Sequence, residues 1–103
     1  MNLKSAAAAM ALMTAGAAGA QDAQTLYVRS LAATCANCHG TGGQAVPGSQ
    51  VPSLAGMPQT YIVEQMKAFK AGTRTATVMH QLAKGYSDEQ INQIAAYFAA
   101  QKK

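Results

Sequence analysis

Apolar residues recur along much of the chain with a helical period. Over residues 23–36, Tyr27, Leu31 and Cys35 stand four apart, which places them on one face of a helix. In the stretch from Met57-Pro58-Gln59 to Ala71, Ile62, Met66 and Phe69 make a second stripe. Pro58 suits the first turn of that helix and Gly72 its stop. Ile91, Ile94, Ala95 and Phe98 form a third stripe behind Ser87, which is placed as an N-cap. Gln90 holds the capping-box position, and Asp88 and Glu89 sit at the favourable end of the helix dipole. Between the stripes, residues 40–56 carry Gly40, Gly42, Gly43, Pro47, Gly48, Pro52 and Gly56, a loop composition. Residues 73–86, with three threonines and Gly85, read as a second irregular stretch. The pattern predicts an all-α domain of three or more helices, with no strand and no internal repeat.

Composition changes this picture in two ways. The chain is 50% apolar and only 12% charged, but part of that imbalance lies in its first twenty residues. Met1-Asn2-Leu3-Lys4 carries one positive charge, residues 6–13 are apolar, and Ala18-Gly19-Ala20 is a small-x-small cleavage site. A bilayer takes roughly 20 residues as a helix, so this stretch is expected to be a cleaved signal peptide over 1–20, not a membrane span. Residues 21–103 are then a single exported, periplasmic domain. That domain is thinly provided with core: it has no Trp, six aromatic residues and many alanines. At this size a hydrophobic core rarely suffices alone, and a bound cofactor is expected.

Charge excludes some roles. The formal net charge is +4, one unit of it from Lys4 in the leader, and the only basic run is Lys102-Lys103 at the end. Without a basic stripe interleaved with aromatics, an exported chain is a poor nucleic-acid binder. No basic amphipathic helix argues for a membrane surface either.

The chemistry lies in Cys35-Ala36-Asn37-Cys38-His39. Two thiols three positions apart at the end of a helix reach the two vinyl groups on one side of a porphyrin, and the adjacent imidazole meets the iron from below. This is the signature of covalent attachment of haem c. The alternatives are weaker. A thioredoxin-like CxxC requires a βαβ setting that this chain lacks. A zinc site drawing on Cys35, Cys38, His39 and His80 breaks the usual ligand spacing. A disulfide between Cys35 and Cys38 closes too small a loop to stabilise much.

The sixth iron ligand decides the chemistry. Met66 lies on the stripe with Ile62 and Phe69 and reads as core filling, and Met57 reads as a helix-entry contact. Met79 stands in the irregular stretch, from which a thioether can return over the opposite face of the haem. Its neighbour His80 is the alternative ligand. His39/Met79 ligation leaves no open iron position and raises the potential, which points to one-electron transfer. A haem sensor or peroxidase-like protein would need an open site. Behind His39, the Pro52 carbonyl is a candidate acceptor for the second ring N–H, and Pro52 reads equally as a rigid turn.

Taken together, Cys35 to Gly40, Pro52-Ser53-Leu54-Ala55-Gly56, Met79 and the aromatic-bearing last helix resemble a bacterial class I cytochrome c. The resemblance implies helices packed around one covalent haem, thioethers at Cys35 and Cys38, and axial ligation by His39 and Met79. It implies the Pro52 carbonyl as acceptor for His39. It also implies a crossing of the first and last helices, with Tyr27 or Leu31 near Ile94, Tyr97 and Phe98. The stretches from Tyr61 to Gly72 and from Thr77 to Ser87 are similar, more narrowly, to the cytochrome subunit of flavocytochrome c sulfide dehydrogenase. That resemblance implies a heterodimer with a flavoprotein, FAD on the partner subunit only, and a downstream cytochrome or oxidase as acceptor. Catalysis would then reside on the flavin chain, and this chain would be no enzyme by itself. A free soluble electron shuttle is the alternative.

Overall fold

The computed structural model describes residues 22–103. The leader assigned to residues 1–20 lies outside the described residues. Four α-helices follow in order: α1 over residues 22–39, α2 over Gln59–Ala71, α3 over Met79–Lys84 and α4 over Asp88–Ala99. A short 3-10 turn spans Thr41–Gly43, and there is no strand among the described residues. The fold is all-α, as the apolar periodicity predicts.

α1 runs three residues beyond its predicted end, so Cys35, Cys38 and His39 all sit in its last turns. Gly40 stops it. Its N–H still bonds to Ala36 O at 3.0 Å, but its φ of 93° turns the chain away. A Cβ there would lie 1.8 Å from Gln44 O, so no other residue fits without rebuilding the turn. α2 starts at Gln59, with Pro58 outside it as the N-cap residue; the Pro58 carbonyl accepts from Ile62 N.

α3 departs from the sequence expectation. Met79 opens a short helix inside the stretch predicted to be irregular. Six residues make fewer than two turns and cannot show a period. Ala83, four residues after Met79, is fully buried, so α3 gets its stability from packing on the core rather than from propensity.

α4 begins as predicted. Ser87 Oγ accepts from Gln90 N at 3.1 Å, while Gln90 Oε1 accepts from Ser87 N at 3.0 Å. The same Gln90 donates through Nε2 to Tyr27 Oη at 3.1 Å, joining the start of α4 to α1. Lys70, near the end of α2, donates to Tyr86 O at 2.6 Å and stands 3.7 Å from Asp88. These contacts fix the corner where α1, α2 and α4 meet.

The core gathers Ala32 from α1, Ile62, Met66 and Phe69 from α2, Ala83 from α3, and Ile91, Ile94, Ala95 and Phe98 from α4. Leu31 and Tyr97 pack against it, and Tyr97 meets Phe98 edge-on with ring centroids 5.1 Å apart. Met66 is core, which accounts for it without any role at a metal.

The loop over residues 40–56 is tied to the end of α4. Gly43 O accepts from both Leu54 N and Ala55 N, at 2.7 and 3.1 Å. Gly56 N donates to Phe98 O at 2.9 Å, and Gln44 Nε2 to Lys102 O at 2.7 Å. At Gly43, with φ of 80°, a Cβ would come 2.7 Å from the Phe98 ring and 2.9 Å from Ala55 N. The glycine lets the loop backbone lie directly on the most buried aromatic of the protein.

Candidate haem site

The site begins at the C-terminal end of α1. Cys35 is half-buried on the face that packs against the core, and Cys38 is exposed; both thiols are free. Burial pushes the Cys35 thiol above its ordinary value, only partly offset by a backbone hydrogen bond. A neutral thioether has no charge to lose on burial, so this position suits an alkylated sulfur better than a thiolate.

His39 is 7% exposed, and its Nδ1 lies 2.6 Å from Pro52 O. A carbonyl oxygen only accepts, so the proton is on Nδ1 and the Nε2 lone pair is left to bind. Pro52 is held in place by its neighbours. Ser53 Oγ accepts from Ala45 N at 2.9 Å, and Leu54 N and Ala55 N are bonded to Gly43 O. The tie between loop and α4 therefore sets the orientation of the imidazole, a long-range link invisible to local pattern reading.

Met79 is half-buried at the first position of α3 and packs against the core cluster. Its neighbours in the chain are apolar yet solvent-facing: Val78 is 50% exposed and Leu82 38%. Val46, in the loop that carries Pro52, is 70% exposed. Val46, Val78 and Leu82 are thus apolar groups left open on the segments that carry Pro52 and Met79. Two free thiols three positions apart, followed directly by an imidazole whose Nε2 is free, fit haem c.

Among the described residues, no group of three or more His, Cys, Asp or Glu side chains is placed to hold a metal ion by itself, so a zinc site gains no support. Nor is any described helix long and apolar enough to cross a membrane. Of the cations on and just after α2, Lys70 is engaged with Tyr86 and Asp88. The Arg74 guanidinium bonds Gln65 and stacks 4.6 Å over the Phe69 ring. These two serve the fold, which leaves Lys67 as the free charge of that face. Local pattern reading missed one further feature: His80 Nδ1 is buried with no hydrogen-bond partner.

Comparison with known proteins agrees with this geometry. The chain is 47% identical over 68 residues to the cytochrome subunit of sulfide dehydrogenase of Chlorobaculum tepidum, a match covering 66% of this chain and 60% of that one. It is 39% identical over 71 residues to the thiosulfate dehydrogenase electron acceptor of Thiomonas intermedia, covering 69% of this chain and 33% of the other. Among solved structures, a cytochrome c4 of Acidithiobacillus ferrooxidans superposes with a TM-score of 0.60 at 39% identity, over 64% of this chain and 37% of that one. The chain thus spans between a third and three-fifths of the length of these relatives. The cytochrome c family model matches residues 20–102, so the chain belongs to the cytochrome c family and carries covalently bound haem c.

Proposed function

We propose that this protein is a periplasmic one-electron carrier that accepts electrons, as a cytochrome subunit, from a sulfide-oxidising flavoprotein. The observation that carries this reading is the 47% identity to the cytochrome subunit of sulfide dehydrogenase. In this reading residues 1–20 direct export and are removed. FAD belongs to the partner chain, and a further cytochrome or an oxidase takes the electron onward.

The chain's own residues then divide the work. Cys35 and Cys38 would hold haem c by two thioethers, and His39 Nε2 and Met79 Sδ would ligate its iron. Haem, when bound, would supply one-electron redox chemistry. Pro52 O, by accepting the Nδ1 proton, fixes the tautomer of His39 and makes its Nε2 a better donor. Met79, a soft thioether, would favour the reduced state of the group and raise its potential. With His39 and Met79 both engaged, these residues would leave no site for a substrate at the metal and would suit the group to electron transfer alone. Charge agrees with a docked subunit. Haem carboxylates offset much of the small positive excess, so no strong one-sided field steers a diffusing encounter.

A free shuttle is the second reading, favoured by the 39% identity to a thiosulfate dehydrogenase electron acceptor. Gentle isolation of the native protein, with haem and flavin counted in the same peak, separates the two. One haem per flavin in a stable complex is the expected result. A haem peak alone, at the mass of a small monomer, overturns the subunit reading in favour of the shuttle.

A further inference from the structure

The Lys102-Lys103 pair is the one basic run of the sequence, and the site as described gives it no work. The structure ties it to the loop over residues 40–56: Gln44 Nε2 donates to Lys102 O at 2.7 Å. The segment that carries this acceptor is itself held. Gln101 N bonds Phe98 O at 3.1 Å, Gln101 Nε2 bonds Tyr97 O at 3.0 Å, and a Cβ at Gly56 would meet Lys103 Cγ at 2.6 Å. Lys102 O is therefore a fixed acceptor built onto the end of α4. Both neighbours of Gln44 hold the segment that contains Pro52. Gly43 O accepts from Leu54 N and Ala55 N, and Ala45 N donates to Ser53 Oγ at 2.9 Å. The Gln44 carbonyl also lies against Gly40, the residue after His39, where a Cβ would come 1.8 Å from Gln44 O. The backbone at Gln44 thus braces the donor and the acceptor of one hydrogen bond, from His39 Nδ1 to Pro52 O at 2.6 Å.

We infer that Gln44 is a positioning residue: anchored to Lys102 O, it holds Pro52 O on His39 Nδ1–H and so sets the basicity of His39 Nε2. The inference rests on the reading above that His39 is an axial ligand of the haem iron. A well-held acceptor makes an imidazole more basic, and a more basic ligand favours the more highly charged, oxidised metal. Loosening the anchor weakens the bond, opens the Nδ1 proton to exchange with water and moves the balance toward the reduced state.

The test compares the holoprotein with Q44M, Q44A and Q50M. Methionine at position 44 keeps the length of the side chain and its neutrality but removes the donor. Gln50 is a second exposed glutamine of the same loop, with no hydrogen bond from its side chain among the described residues, and serves as the control. Two quantities are measured: exchange of the His39 Nδ1 proton with water, by NMR of the reduced protein, and the reduction potential at fixed pH. In Q44M and Q44A exchange should accelerate roughly threefold to tenfold, as the bond opens more often. The ferrous-to-ferric ratio at a fixed poise should rise roughly twofold to fivefold, tenfold being about 59 mV for one electron. Q50M should match the native protein in both. A Q44M that melts lower yet keeps native exchange and potential overturns the inference, because the bond then serves stability alone. A Q50M shifted as far as Q44M overturns it too. The ligand reading is read from the same spectra, since the haem ring current displaces the ring protons of an iron-bound imidazole far upfield. His39 ring protons at ordinary positions in the native protein overturn that reading and this inference with it. Displaced ring protons with unchanged exchange in Q44M overturn the inference alone.

Discussion

The two halves of this small domain are finished to different degrees. Where α2 meets α4, the protein closes on itself: Ile91, Ile94 and Phe98 are essentially inaccessible, and Ile62, Met66 and Phe69 face them. Polar groups at the corners are paired, with the capping box at Ser87 and Lys70 bridging to Tyr86. Around the end of α1, the loop that carries Pro52 and the start of α3, the protein stays open. Val46, Val78 and Leu82 face solvent, two thiols are free, and a buried nitrogen of His80 has no partner. The first half is a core that its own apolar side chains fill, with Gln93 Oε1 on α4 buried there without a partner; the second leaves apolar surface and the haem-attachment residues open. In a chain with so few large apolar residues, haem is expected to be structural as well.

The strongest way to break the comparison is to remove the cofactor. Cys35→Ala with Cys38→Ala is expected to abolish covalent haem and most of the far-UV helical signal, because the open half has nothing else to bury against. A double variant that keeps the helicity and melting temperature of the holoprotein would show that the α2–α4 half stands alone. Next in size is Phe98→Ala, which empties the centre of the closed half and touches the Gly43 loop as well. It should cost about 3–5 kcal/mol in denaturant unfolding of the holoprotein.

Gly43→Ala tests the seam between the halves. It forces a Cβ against Phe98 and Ala55 at a positive φ, and should cost about 1–3 kcal/mol. Because the same loop carries Pro52, the potential should move as well, which a purely structural glycine in the closed half would not cause. Smallest is Ser87→Ala, confined to the closed half. Loss of the cap should cost about 1 kcal/mol with the visible spectrum and potential unchanged. A shift of potential in this variant would mean that the halves are coupled through α4.

Legibility in the sequence followed the same division. α2 and α4 could be read from their stripes and, for α4, from Ser87 and Gln90, because their information is local: side chains three or four apart share a face. α3 could not, since six residues carry no period and it forms by packing Ala83 against its neighbours. The residues of the attachment motif were also legible, because two thiols three positions apart directly before an imidazole make a conspicuous spacing. Their arrangement was not. The double acceptor at Gly43 O, the tie from Gly56 to Phe98 O and the bond from Gln90 to Tyr27 join positions remote in the chain, and no local pattern encodes them. The unpartnered Nδ1 of His80 is likewise a property of packing, which the dipeptide Met79-His80 does not reveal.

The central claim is that a haem fixed at Cys35 and Cys38 is held between His39 and Met79, closed to substrate and free to pass single electrons. Its most direct test is the visible spectrum of the oxidised holoprotein beside that of Met79→Ala and His80→Ala. The account predicts the thioether-to-iron charge-transfer band in the native protein and in His80→Ala, and its loss in Met79→Ala together with a lowered reduction potential. A band that survives in Met79→Ala, or that vanishes in His80→Ala, would contradict it.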